Sequence, residues 1–406
     1  MTWLEERRRE AADASAALPL PTLRDEHWRY TSLRGIDFAA YAPAAATTQE
    51  PSADGTILQV GREAGRLVQR DGVVTIVQEL DPAIAAQGVV FSTLEQAAID
   101  HPEIVERHLG SIVGTDEKFA AENAALWTGG ALIYVPRNVE VELPLHLAFE
   151  LATDGAAQHW RVLVVAEESS RLTLIEEHVE GRPGYANGVV ELSVGPNAHV
   201  EYVTVQGRHT DALHFAYHRA EVARDARLGW AACALGARTG KTRMESRLTG
   251  PGSTVKLTGT YVVDGERHLD LDTTQEHDAP NAVSDLAFKG ALADRSRAVW
   301  RGVIRVAEGA QGTDAYQENR NLLLSPHAHA DSIPGLEIDT NDVRCTHGAT
   351  AGPVDRSLLF YLMSRGIERP VAERLVVEGF FADVLERIES DEVREAIRGA
   401  LLARLP

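Results

Sequence analysis

Ser170-Arg171-Leu172, Ala198-His199-Val200, Ala226-Arg227-Leu228 and Ser253-Thr254-Val255 share one pattern: a small, a polar and an apolar residue opening an alternating stretch. Their apolar members fall 28, 28 and 27 residues apart. That period is too short for a strand–helix–strand unit and suits one coil of a β-solenoid, where each turn stacks on the last. An antiparallel sandwich would supply similar strands with less cause to repeat. Short alternating stretches continue on both sides, over residues 131–135, 139–149, 161–166, 189–194 and onward to Ile338. Turns rich in Gly, Asn, Asp and Pro separate them, and no helical periodicity intervenes.

Outward from this core the pattern changes. Residues up to Ala17 read as a charged, Ala-rich helix, stopped at Leu18-Pro19-Leu20-Pro21. A weak Ala/Pro/Thr stretch from Tyr41 to Pro51 reads as a loop, and Asp71-Gly72 predicts a hairpin over 67–80. Ser92-Thr93-Leu94-Glu95 resembles a capping box, Pro102 fits a first helical turn, and 116–126 reads as a further helix. Beyond Gly352-Pro353, Asp355 caps a helix ended by Gly366, and Pro370 opens another. Val393, Ile397 and Leu401 form an apolar stripe on a last one. The expected architecture is mainly β with helical ends. An N-terminal, mostly helical α/β domain spans 1–128, a β-solenoid core 129–352, and a C-terminal helical domain 353–406.

Composition narrows the function. Of 406 residues, 60 are acidic and 40 basic, a net charge of -20 that opposes binding to nucleic acid or to an anionic membrane. No apolar run approaches the roughly 20 residues of a membrane helix. The charged start, Met1-Thr2-Trp3-Leu4-Glu5-Glu6-Arg7, does not read as a signal peptide. Two cysteines, Cys233 and Cys345, make no disulfide framework, so a cytoplasmic chain with reduced thiols is expected.

Chemistry concentrates near the end of the β region. Cys345 and His347, two apart in an extended segment, project from one face and offer a soft sulfur and a borderline nitrogen suited to iron, zinc or copper. Two ligands do not complete a site. His327 and His329 form a second such pair and would join the first if the segments met, whereas a solvated loop beside Ser325-Pro326 accounts for them equally. Gly236-Ala237-Arg238-Thr239-Gly240-Lys241-Thr242 imitates a phosphate loop but has three residues between its glycines where four are needed, so a turn is expected and ATP is not. Cys233, within Trp230-Ala231-Ala232-Cys233, reads as core. The acids Asp264, Glu266, Asp270, Asp272, Glu276 and Asp278 invite an enzyme reading, but Asp270 and Asp272 alternate with Leu269 and Leu271 as on a half-solvated strand.

From His277 onward the chain resembles the SufB/SufD family of iron–sulfur cluster assembly proteins. The resemblance rests on His277-Asp278-Ala279-Pro280, Ser284-Asp285, Lys289-Gly290, Gly302-Val303-Ile304 and Tyr316-Gln317-Glu318-Asn319. It continues through Pro334-Gly335-Leu336-Glu337-Ile338, the run 342–350, 360–367 and Gly379-Phe380. Weaker matches reach Lys118-Phe119, Asn123-Ala124, Gly129-Gly130 and Trp28-Arg29-Tyr30-Thr31. Cys345-Thr346-His347-Gly348-Ala349-Thr350, with no cysteine near 325–334, is similar to the SufD-like branch.

The resemblance implies a right-handed parallel β-helix and a non-catalytic scaffold subunit. It implies pairing with a SufB paralogue through the last coils, and docking of the ATPase SufC on the C-terminal helices. Asp355, Leu359, Phe360, Tyr361 and Arg365 are the docking candidates. It further implies that His347, and less directly Cys345, handles a transient nascent Fe–S cluster shared with the partner, while this chain binds no ATP. The same edge offers the isolated chain a homodimer interface. The alternative is a cytoplasmic β-helix enzyme acting on a carbohydrate or acyl substrate.

Overall fold

The computed structural model describes residues 2–43, 56–58 and 61–405. Parallel strands stack into a β-solenoid of about eight coils, each coil giving one strand to each of two sheets. The first sheet runs from Ala131–Val135 to His329–Ile338, and the second from Leu145–Glu150 to Val343–Pro353. No helix lies between Lys118–Leu126 and Arg356–Ser364 among the described residues.

The sequence repeat becomes a physical ladder. Leu172, Val200, Leu228 and Val255 are direct register partners on successive strands, each at most 3% exposed. Burying each such side chain contributes about 1.5–3 kcal/mol. The small residues of the motif mark the corners. Ser169, Asn197, Asp225 and Gly252 adopt positive φ immediately before Ser170, Ala198, Ala226 and Ser253, which are at most 1% exposed. A left-handed residue turns the chain, and only a small side chain fits the inside of the bend.

The two ends of the solenoid differ. At the start, Val90–Thr93 pairs antiparallel with Ala131–Val135, and the hairpin Gly65–Arg70/Val73–Gln78 adds its first strand beside Leu145–Glu150. Asp71, at φ 53°, makes the predicted turn. N-terminal strands thus extend both sheets. At the far end, His329–Ile338 and Val343–Pro353 each have, among the described residues, one neighbour and one free edge.

Helices form at Trp3–Ala17, Leu94–Asp100, Pro102–His108 and Lys118–Leu126, close to expectation. The anticipated capping box begins one residue late: Thr93, not Ser92, caps the helix, and Glu95 accepts the amide of Gly129 instead of reaching back. The Tyr41–Pro51 stretch lies, beyond Pro43, outside the described residues.

Asp270 and Asp272 are not half-solvated; each is 2% exposed. The N-terminal segment covers them, with Thr31 donating to Asp270 at 2.5 Å and His27 Nδ1 lying 2.6 Å from Asp272. Trp28 packs nearby on Phe119 and Phe215, with ring centroids 4.9 and 5.3 Å away. Lys241, from the phosphate-loop look-alike, is buried and pairs with Asp270 at 2.9 Å, while Ala237 turns the chain there at φ 68°. A lysine committed to an internal ion pair is not free to hold a phosphate. Cys233 is core, and burial pushes its thiol up to about 12.

After the solenoid, Arg369–Leu385 and Asp391–Ala403 pack on the outer face of the second sheet, and Arg356–Ser364 packs against Arg369–Leu385. Val377, Phe381, Val384, Val393, Ile397 and Leu401 bury against Val203, Val205, Val262 and Ala291. Among the described residues, no helix is long and apolar enough to cross a membrane.

Candidate functional site

The ladder that begins at Leu172 runs on through Ser284 and Ala315 and ends at Cys345. His347 ends the adjacent inward-facing ladder, which passes through Tyr202, Trp230, Leu257, Leu286 and Gln317. Parallel partners share a side of the sheet, so both residues face the solenoid interior at its open end. Gln317, directly beneath His347, is 0% exposed and donates to Gly302 O at 3.2 Å and Gly335 O at 3.1 Å. His347 is exposed because no coil follows it. Cys345 is half-buried against Ile304, Val306, Ala310 and Ala315, and burial, then the nearby Asp314 carboxylate, pushes its thiol pKa up. It therefore stays a thiol until a metal or cationic partner stabilises the thiolate. Leu336 and Ile338, also on inward ladders, are 36% and 38% exposed, so the mouth is an unfinished core section.

His327 and His329 do not join this group. His329 is the register partner of Arg297, whose ladder continues through His268 and Leu213 on the outer face of the other sheet. It lies 3.1 Å from Asp331, which also pairs with Arg297. His327 sits in the preceding turn, where its amide donates to Ser325 Oγ. Period-two spacing holds for Cys345 and His347, which share one strand, but His327 lies in the turn before its strand and His329 faces outward on the other sheet.

Residues 149–380 match the family described as "SUF system FeS cluster assembly, SufBD core domain", and residues 71–147 match "SufBD protein N-terminal region". The chain belongs to the SufBD family. It is 30% identical to the iron-sulfur cluster assembly protein SufD of Bacillus subtilis, over 97% of this chain and 92% of that protein. SufBD family proteins of Mycobacterium bovis and Synechocystis are 29% and 26% identical, covering 95% and 99% of this chain and 89% and 91% of theirs.

The docking candidates of this SufBD chain fall on one short helix. Asp355 caps it, accepting from the Ser357 amide at 2.8 Å. Leu359 is buried as an anchor, whereas Phe360 and Tyr361 are 74% and 53% exposed, and Arg365 stacks over Tyr361 at 5.2 Å. Leu358, Met363, Val371 and Leu375 extend the exposed apolar surface onto the next helix.

Sequence reasoning missed a polar group inside the solenoid. Glu176, fully buried, accepts from Tyr202 Oη at 2.7 Å and Trp160 Nε1 at 3.2 Å, with His178 Nε2 at 2.8 Å. Arg208 donates to His178 Nδ1 at 3.0 Å and to Gln158 Oε1 at 2.7 Å. Burial raises the Glu176 pKa, and burial with Arg208 nearby pushes that of His178 well down, so His178 is neutral. Polar residues among apolar ones suggest a solvated face, and nothing in the one-dimensional pattern says that this face points inward.

Proposed function

We propose that this chain is a SufD-like scaffold subunit whose open solenoid end pairs with a SufB paralogue and forms one side of a shared site for a nascent Fe–S cluster. The observation that carries the reading is the coincidence of three features at one place. Two free strand edges, an exposed section of core and the Cys345/His347 pair all lie at the last coil. Free edges with apolar side chains between them favour an added strand, because a partner satisfies the backbone groups and buries the section together. A ligand set of two is then half of a site completed by the facing chain. His347 binds iron as neutral imidazole or orients sulfur, and Cys345 acts as thiolate.

The C-terminal helical surface is the dock for the ATPase SufC. Lys289 ties this unit to the solenoid, donating to Phe380 O at 2.8 Å and pairing with Asp383, so a force on the dock reaches the last coils. ATP-driven approach of two SufC subunits opens the paired end and exposes the site to iron and sulfide. Affinity capture on the tagged chain tests the assembly: a SufB paralogue and an ABC-type ATPase are expected in the eluate. Phe360→Asp should remove the ATPase alone, weakening it by about 2 kcal/mol or more, the scale of an aromatic hot spot. Retention of the ATPase by this variant would remove the helix from the dock.

A further inference from the structure

His199, Glu201 and Glu389 are the one group of three potential metal-ligating side chains, among the described residues, whose ligand atoms lie within 4.8 Å of one another. His199 and Glu201 sit two apart on the strand His199–Gln206 and share the outer face of the second sheet. Glu389 comes from the linker between the last two C-terminal helices. Among the described residues nothing pairs with its carboxylate. Glu201 lies over its register partner Gly229, where a Cβ would come within 2.2 Å of both carboxylate oxygens. Bare backbone at that position gives Glu201 room to face the linker. A cleft of about 300 Å³ adjoins the group, with Thr173, Arg227 and Lys256 in its walls.

We infer that His199, Glu201 and Glu389 form a site for a first-row divalent cation of the zinc, manganese or iron(II) type, with water from the cleft completing the shell. Two carboxylates and an imidazole from separate elements place three ligand atoms within 4.8 Å of one another, the donor set of a small cation. An imidazole in the set moves the preference from calcium and magnesium toward these metals. Arg171 donates to His199 Nδ1 at 3.0 Å, so Nε2 carries the ring proton and faces Glu201 at 2.8 Å. Ligation through Nε2 shifts the ring to its Nδ1–H tautomer, and Arg171 turns to Glu140, 3.8 Å away. Because Glu389 belongs to the C-terminal helical unit, the bound cation fastens that unit to the solenoid.

The test uses the full chain carrying Cys345→Ser and His347→Ala, so the open end contributes no ligand. Chelator-stripped protein is dialysed against Zn²⁺ or Mn²⁺, bound metal is counted by atomic emission, and the thermal midpoint is recorded. One cation per chain and a raised midpoint are expected. His199→Ala and Glu389→Gln should each weaken binding at least about tenfold and cancel the rise, whereas Arg171→Gln should tighten binding. Absence of bound metal, or binding and midpoint unchanged by Glu389→Gln, overturns the inference. Glu389 is exposed, so that variant is expected to fold, and the proposed role of the open end stands or falls separately.

Discussion

Replacing His347 by alanine is expected to abolish cluster formation in the assembled complex while leaving the complex intact. The imidazole is exposed and unburdened by packing, so its loss opens no cavity in this chain. On the proposed function, it removes a nitrogen ligand at the end where a partner's side chains would meet it. Iron and acid-labile sulfide per purified complex, together with the visible absorbance of the cluster, read the effect. A fall of at least about tenfold is expected, the scale seen when an element of a metal site is lost. Cys345→Ser should cost less, because a thiol held up by burial is the less ready ligand. Normal cluster content with His347→Ala would mean that the residue only fills the junction.

Leu336→Asp should prevent pairing at the solenoid end. Leu336 lies on an inward ladder above Ile304, and only the missing next coil leaves it 36% exposed. In the isolated chain the new carboxylate still reaches water, so the thermal midpoint moves little. Between two paired coils it has no water and no cation, at a cost of about 3 kcal/mol, or roughly a hundredfold in affinity. Sedimentation or light scattering of the chain mixed with a SufB paralogue distinguishes the outcomes. Undiminished pairing would place the interface elsewhere.

Much of this was legible before the structure. The phrase repeated at 172, 200, 228 and 255 was a set of register partners, because a solenoid stacks equivalent positions and burial demands apolar residues there. The same ladder leads to Cys345, but the polar Ser284 and the small Ala315 replace its large apolar residues, so the link was invisible in the sequence. Asp270 and Asp272 misled for a related reason. Alternation shows that a strand has two unlike faces, and only the fold showed the N-terminal segment lying over the polar one. Glu176 and His178 mark the converse, polar residues turned inward and satisfied by one another. Glu389 meets His199 across most of the second half of the chain, a proximity no local pattern encodes. The helical tail, by contrast, was readable residue by residue, since Asp355, Gly366 and the 393/397/401 stripe act through local geometry.

Pairing of a partner on the free edges of the last coil is read by hydrogen exchange of the chain, alone and mixed with a SufB paralogue. Amides of His329–Ile338 and Val343–Pro353 that point away from the preceding strands should exchange fast alone and become protected on mixing, with smaller changes elsewhere in the solenoid. Protection confined to other surfaces, with these two strands still exchanging freely in the complex, would contradict it.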